Sequence, residues 1–447
     1  MKISQVIIGL EIHIELKTKS KMFCGCSADH FGSKPNTQTC PVCLGLPGAL
    51  PVPNQKAIEL TILTGLALNC QIPKFSKFDR KNYFYPDLPK GYQISQYDSP
   101  LAANGWLELS DKIKIRIKRV HLEEDTGKLI HFSDQKRKVT LIDFNRSGVP
   151  LMEIVTEPDL HSSKQTKEFL KKLQKIVQFL GVSEANMEKG QMRCEPTVNL
   201  EIEENGKYFY TPLVEIKNIN SFRFVQKAID YEVERLYEEF KKTRIEKKPG
   251  NKTTRGYDEE KGITVLERIK EEAADYRYFP EPDIPPIEWT DEDIKNFKLK
   301  IEKLEPPDKK IERFVKQYQI PVFLANILCQ DLKVADFFQT AVECGKKYGI
   351  SPQLIANVIV NKRIEYKNLS PEELIRKICS LSNFTMNEEE TSRLVEETVK
   401  EFPAAVEDYQ KGKTQSLGFL VGQVQRKTKG KSDPKVVQKI LLEKLGN

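Results

Sequence analysis

Apolar and polar positions change period along the chain. Val6, Ile8, Leu10, Ile12, Ile14 and Leu16 alternate with polar residues, so they share one face of an extended segment, while Glu11, His13 and Glu15 share the other. Further strands are predicted at 113–122, 139–145, 151–156, 197–203 and 212–217. Over 164–180 the period becomes helical: Phe169, Leu170, Leu173, Ile176, Val177 and Leu180 form one stripe, with Ser162 or Ser163 to cap its start and Gly181 after its end. A second helix is expected after Asn220-Ser221, with Phe224, Val225, Ala228, Ile229, Leu236 and Phe240 as its apolar face. Residues 241–262 are dense in charge and carry Pro249-Gly250, which predicts an exposed connection. Pro280, Pro282, Pro285 and Pro286 cluster, and a domain boundary is expected just after them, near residue 290. From there to about 405 the pattern is helix, turn, helix. A tail follows, with Leu417, Phe419, Leu420, Val421 and Val424, then a closing helix from Ser432-Asp433-Pro434 with Val437, Leu441 and Leu445. Short strands and helices out of strict alternation predict an α+β fold rather than a doubly wound sheet.

Composition narrows the class. The chain has 447 residues, 39% hydrophobic and 30% charged, an ordinary globular balance. That excludes a disordered chain, a collagen-like fibre and a disulfide mini-protein. At about 150 residues per domain, roughly three domains are expected. No apolar run approaches the length of a bilayer span. The N-terminus enters a strand pattern at once, without a signal-peptide core, so a cytosolic protein with reduced or metal-bound cysteines is expected. The net charge is only +7, but residues 411–447 hold nine basic and two acidic side chains, an excess equal to that whole. Such a segment either attracts a polyanion or keeps the chain in solution.

Three constellations carry chemistry. Cys24-x-Cys26 and Cys40-Pro-Val-Cys43 form two close thiol pairs separated by a loop. Four thiolates at that spacing suit a tetrahedral Zn²⁺ with no open position, a structural site; unrelated thiols or a redox pair are the alternative. The second constellation is acidic: Glu11 and His13 on one strand face, and His121-Leu-Glu123-Glu124-Asp125-Thr-Gly127 where another strand enters a turn. Carboxylates gathered with imidazole suit Mg²⁺, or else are solvated strand faces. The third is Asp79 to Ile94, where Arg80, Lys81 and Lys90 interleave with Tyr83, Phe84, Tyr85 and Tyr92. Such a stretch can stack on a base and pair with phosphate. Gly-x-x-x-x-Gly-Lys-Ser/Thr and a strand-linked Gly-x-Gly-x-x-Gly are both absent, so any nucleotide sits on another platform.

Seven stretches then resemble one family: Val6-Ile-Ile-Gly-Leu-Glu-Ile-His13, Arg80-Lys-Asn-Tyr-Phe-Tyr-Pro86, His121-Leu-Glu-Glu-Asp-Thr-Gly-Lys128, Asp143-Phe-Asn-Arg-Ser-Gly-Val-Pro-Leu-Met-Glu-Ile-Val155, Val214-Glu-Ile-Lys-Asn-Ile-Asn-Ser-Phe222, Asp275-Tyr-Arg-Tyr-Phe-Pro-Glu-Pro-Asp283 and Phe419-Leu-Val-Gly-Gln-Val424. The likeness is to the B subunit of the aspartyl/glutamyl-tRNA(Asn/Gln) amidotransferases, and it runs from the first strand to the last helix. It implies a glutamine-synthetase-like catalytic cradle over 1–290, a helical domain over 291–405 and a basic tail over 406–447 that touches tRNA. It also implies a ligase component that uses ATP and Mg²⁺ to phosphorylate the side-chain carboxylate of misacylated Glu-tRNA(Gln) or Asp-tRNA(Asn). Ammonia then displaces phosphate. The ammonia comes from glutamine hydrolysed in an amidase-type A subunit, strapped on by a small C subunit; this chain carries no Gly-Ser-Ser-rich amidase signature of its own.

By the same likeness, Glu11, His13 and Glu124 are expected at the magnesium, with Glu123, Glu153 and Glu195 nearby. Glu215 and Lys217, two apart on one strand, are expected to contact phosphate or support the metal, and Lys81 and Tyr83 to stand where ammonia arrives. Two departures stand out. Arg193-Cys-Glu195-Pro196-Thr197 replaces the family's Arg-Cys-Asp-Ala-Asn, and Gly262 to Glu271 lacks the usual Arg- and Ser-rich form. The competing expectation is a non-catalytic tRNA-binding scaffold built on the cysteine knob and the basic tail.

Overall fold

The computed structural model describes residues 1–133, 138–269, 276–382, 388–411, 413, 415–428, 432 and 434–445. Lys270, Glu271, Asp275 and Asp433 of the stretches quoted above, and Lys429 and Lys431 of the basic tail, lie outside them. The chain divides into two compact units, Met1–Lys310 with Gln330–Leu332, and Ile311–Cys329 with Lys333–Asn447. The architecture is α+β, with a large mixed sheet followed by helices.

The first unit runs β1 (Lys2–Glu15), α1 (Gln55–Ala67), β2 (Phe75–Ser76), β3 (Asp79–Asn82), β4 (Tyr92–Ser95), β5 (Ala102–Glu108), β6 (Lys114–Glu124), β7 (Lys128–Ser133), β8 (Lys138–Asp143) and β9 (Pro150–Thr156). It continues with α2 (Ser163–Phe179), β10 (Met192–Glu204), β11 (Lys207–Tyr210), β12 (Val214–Lys217), α3 (Phe222–Thr243), β13 (Thr253–Asp258), β14 (Ile263–Ile269), β15 (Phe279–Pro280), β16 (Ile287–Glu288) and α4 (Asp291–Glu302). The main sheet is ordered β14-β13-β12-β10-β1-β9-β6-β5, with β11 beside β10. All its pairs are antiparallel except β12 with β13.

Strand alternation sorts this sheet into two chemically different faces. Ile8, Leu10, Ile12 and Ile14 of β1 are buried in one core with Val120 and Leu122 of β6, Met152 and Ile154 of β9, and Val198 and Leu200 of β10. The same core takes the apolar stripes of α2 (Phe169, Leu170, Leu173, Val177) and α3 (Val225, Ala228, Ile229, Leu236). The Ser162 hydroxyl accepts the Gln165 N–H at 3.2 Å and starts α2; Gly181, at φ +66°, follows its end. The Ser221 hydroxyl does the same for α3, accepting the Phe224 N–H at 3.2 Å. With one face sealed by helices, the odd-numbered polar residues of β1 are left on the other.

One expectation needs correction. The charged stretch 241–262 is not simply an exposed connection, because Thr253–Asp258 is β13, with Thr254, Gly256 and Tyr257 buried. Its charge is neutralised inside: Arg255 Nε lies 3.1 Å from the fully buried Glu232 carboxylate and donates to Thr264 Oγ1 at 2.8 Å.

The helices that follow α4 are α5 (Pro307–Tyr318), α6 (Val322–Leu328), α7 (Leu332–Lys346), α8 (Pro352–Val360), α9 (Pro371–Ser382), α10 (Glu388–Glu401), α11 (Pro403–Gln410), α12 (Gln415–Lys427) and α13 (Pro434–Leu445). Val395 of α10, Leu420 and Val424 of α12, and Val437, Leu441 and Leu445 of α13 share one core, which draws on both sides of residue 405. The basic tail is partly neutralised within this unit. Lys411 pairs with Glu407 at 2.7 Å, Lys413 with Asp408 at 2.9 Å, Lys427 with Glu401 and Lys444 with Glu396. No described helix is long and apolar enough to cross a membrane.

Candidate active site and metal centres

Register builds the site. In antiparallel pairing, residues directly opposite each other lie on the same face. His121 of β6 faces Glu153 of β9, Glu153 faces His13 of β1, and His13 faces Arg193 of β10. The next row runs Arg119, Val155, Glu11, Glu195. Four adjacent strands thus present acids, imidazoles and guanidinium groups on the face away from the helices.

The distances are close. His13 Nε2 lies 3.5 Å from Glu123 Oε1, 3.5 Å from Glu153 Oε2 and 3.8 Å from Glu11 Oε1. His121 Nε2 lies 3.2 Å from Glu153 Oε2. Burial opposes charge on His13, but the hydrogen bond and charge of Glu153, with Glu123 and Glu11 behind them, push its pKa up to about 9. Burial also opposes charge on Glu153, yet His121 and His13 hold it well below the usual carboxylate range. Glu11 moves the other way: burial, then the Glu153 charge, raise it. Carboxylates that perturb one another this strongly favour a cation between them. Glu11, His13 and Glu153 offer donor atoms within 4.8 Å of one another, as do His121, Glu123 and Glu153. A hard, oxygen-rich donor set fits Mg²⁺, and among the described residues buried His121 Nδ1 has no hydrogen-bond partner.

The other expected residues fall into three positions. Lys81 faces the cluster: burial opposes its charge, but Glu123, Tyr278, Glu153 and Glu11 more than offset this and raise its pKa well above the usual lysine value. Its Nζ lies 5.2 Å from the Tyr276 ring centroid and 6.0 Å from that of Tyr83. Glu195, Glu215 and Lys217 stand together beyond Glu11, with Lys217 Nζ 2.8 Å from Glu195 and 3.5 Å from Glu215. Proline at 196 leaves the strand intact, and Glu195 keeps its place opposite Glu11.

Glu124 is not brought to this cluster. It follows Glu123, so it points to the face of Val120 and Leu122, where its carboxylate pairs with Lys90 and accepts the Ile94 N–H at 3.0 Å. There it lines a cavity of about 220 Å³ with Cys43, Lys90, Tyr92 and Gly148. The parity of the sequence carried this signal, since Val120 and Leu122 mark the even positions of β6 as the core face.

Sequence reasoning put Asp125 in the acidic constellation but missed its partners. It is 3% exposed and binds Arg193 through both carboxylate oxygens, with Arg146 Nε 3.6 Å away. Burial alone would raise its pKa; Arg146, Arg193 and the Thr126 N–H outweigh that and hold it below the ordinary 3.8. Its stabilisation is therefore complete above pH 3.8 and is lost as the pH falls through the lowered folded value. Asp125→Ala, which strands two guanidinium groups, is expected to cost about 3–5 kcal/mol in urea unfolding at neutral pH. A loss under about 1 kcal/mol would show the pair to be dispensable.

The four cysteines converge as their spacing predicts. Cys24, Cys26, Cys40 and Cys43 place their sulfurs within 4.8 Å of one another, with Cys40 and Cys43 3.9 Å apart. The Cys24 hydrogen bond, opposed by burial and helped by the Cys40 N–H and Lys21, lowers the Cys43 thiol to about 4. Burial pushes Cys26 up to about 11. Such a split among touching thiols is what a shared cation would remove, and the all-sulfur set is compatible with zinc. Gly148 seats this knob. It sits at φ +86°, and a Cβ there would lie 3.3 Å from Cys43 Cβ. Its carbonyl accepts the Met22 N–H at 2.7 Å and its N–H donates to Asp125 O at 2.9 Å.

A sheet face that gathers acids, imidazoles and cations over a sealed apolar core is the arrangement of an enzyme's catalytic domain. Residues 6–295 match the GatB/GatE catalytic domain and residues 338–445 the GatB domain, and the chain belongs to the GatB/GatE family. Among its relatives is the B subunit of the aspartyl/glutamyl-tRNA(Asn/Gln) amidotransferase of Caldicellulosiruptor saccharolyticus, 44% identical over 99% of each chain. The corresponding protein of Persephonella marina is 45% identical, covering 98% of this chain and 99% of its own. That of Thermotoga maritima is 42% identical, covering 97% and 98%.

Proposed function

We propose that the chain is the B subunit of an aspartyl/glutamyl-tRNA(Asn/Gln) amidotransferase. It would amidate Glu-tRNA(Gln), Asp-tRNA(Asn) or both, in a complex with an amidase-type A subunit and a small C subunit. The observation that carries this is the row His121, Glu153, His13, Arg193 across four strands, with Glu11 and Glu123 beside it. A carboxylate is a poor electrophile, so it must first be made into an acyl phosphate. A side-chain oxygen of the aminoacyl group attacks the γ-phosphorus of ATP and ADP leaves. Ammonia then attacks the acyl carbon, phosphate leaves, and the nitrogen gives up a proton.

Phosphoryl transfer asks mostly for positioning and charge neutralisation. Glu11, His13, Glu123 and Glu153 would hold magnesium, which when bound neutralises charge on the phosphoryl oxygens. Lys217, paired with Glu195 and Glu215, would be the cation that meets the polyphosphate. Lys81 and Tyr83 would meet the arriving ammonia, and a neighbouring carboxylate that does not hold the metal can take the surplus proton. The cysteine knob would hold structural zinc, and the C-terminal helices would meet the tRNA.

The test is phosphate release from ATP by the purified complex. Release that depends on Glu-tRNA(Gln) or Asp-tRNA(Asn), with amide formed in step, is expected. Release without tRNA would favour a small-molecule amidating enzyme, and none at all a scaffold.

A further inference from the structure

The cations of the site differ in how fully they are used. Arg193 binds both oxygens of Asp125, Arg146 donates to the carbonyls of Thr126 and Gly127, and Lys217 is held by Glu195. Arg193 Nε–H also lacks an acceptor among the described residues, but both Nη groups of Arg193 bind Asp125; Arg119 is the least used. Its Nε–H is buried and has no acceptor among the described residues. Its nearest carboxylate contact is Nη2 to Glu153 Oε1 at 3.9 Å, beyond hydrogen-bond reach. A donor sealed from water without an acceptor is a standing penalty that a bound oxygen would relieve. Arg119 is also well placed. It lies on β6 two residues before His121 and four before Glu123, on the same face, in the row that contains Glu11. Burial raises the pKa of the Tyr278 hydroxyl, and the charges of Lys81 and Arg119 both pull it down.

We propose that Arg119 is an oxyanion-binding catalytic residue of this site. Its planar guanidinium receives either a phosphoryl oxygen of the nucleotide or the side-chain carboxylate about to be phosphorylated. A guanidinium suits either, because its parallel N–H groups match two oxygens of one anion. The assignment rests on the function proposed above and adds a residue that neither the strand motifs nor the acidic constellation pointed to.

The experiment uses the intact complex with Arg119→Ala and Arg119→Lys, varying ATP and Glu-tRNA(Gln) in turn. Arg119→Ala is expected to lose about 10²-fold in kcat/KM for the substrate whose oxygen Arg119 holds, leaving the other KM within about twofold. A rise in KM for ATP identifies the phosphoryl oxygen; a rise for the aminoacyl-tRNA identifies the carboxylate. Added guanidinium ion is expected to restore part of the Arg119→Ala activity, and lysine to restore less than arginine supplies. Unchanged kinetics would overturn the assignment. So would a fall in kcat alone, with both KM values fixed and no guanidinium rescue, since that is the signature of a residue that merely orients Glu153. Should the wild-type complex fail to amidate at all, the proposed function falls by itself. Calorimetric binding of inorganic tripolyphosphate and of glutamate to the full chain then decides the matter for Arg119, with equal binding by wild type and Arg119→Ala overturning it.

Discussion

Glu153→Gln is expected to lower ATP-dependent amidation by about 10²–10³-fold while the chain keeps its fold. Glu153 stands between two imidazoles, 3.5 Å from His13 and 3.2 Å from His121, and belongs to both sets of converging donors. The amide has the same size but no charge. It would leave a cation with weaker ligands and let His13 fall from about 9, since Glu153 is the main group that raises it. Phosphate release and amide formation by the variant complex, with a thermal melt alongside, measure this. Activity within about tenfold of wild type would remove Glu153 from the centre of the site. Glu124→Gln is the informative contrast. Its carboxylate serves Lys90 and the Ile94 N–H on the opposite face, so its loss is expected to act on that corner rather than on the metal ligands.

Cys43→Ser, or prolonged chelation of the wild type, is expected to release one zinc per chain and to destabilise the knob by about 4 kcal/mol or more. Between Glu15 and Gln55 there is no strand or helix among the described residues. The segment is anchored in the main core by Leu16, Met22 and Phe23, and beyond them is held by isolated hydrogen bonds, the Ser20–Ser27 bridge and the four convergent sulfurs. Without a cation those sulfurs cannot all be thiolates. Cys43 is also the most buried of the four, 3.6 Å from Lys21 Nζ and close against Gly148. Elemental analysis and thermal unfolding read the two effects separately, and wild-type protein free of zinc would refute the site.

Local patterns were the legible part of this molecule. The alternation over 6–16, the stripe over 164–180 and the four-cysteine spacing each lie within a short stretch, and each reappears as β1, α2 and the convergent thiols. What depended on pairing between distant strands was legible only in part. Glu11 and His13 could be put on one face from their own strand, but that Glu153 lies between His13 and His121 follows from the order β1-β9-β6, which no local pattern states. Arg119, and Arg193 as the partner of Asp125, were missed for the same reason: a charged residue on a strand looks solvated until its partner across the sheet is known. The strand at Thr253–Asp258 was hidden because its charge is cancelled by Glu232, an acid from a different element. The resemblance supplied the family but named Glu124 for the metal, although the parity of Val120 and Leu122 already sets it on the other face from Glu123.

That parity makes β6 intolerant of insertion and deletion. Adding or dropping one residue between Arg119 and Glu123 would shift every later position of the strand to the opposite side, exchanging Glu123 with Glu124 and thrusting Leu122 among the acids. Substitution can be gradual here, but length cannot, so lineages of this chain should vary the spacing of their loops while the count along this strand stays fixed.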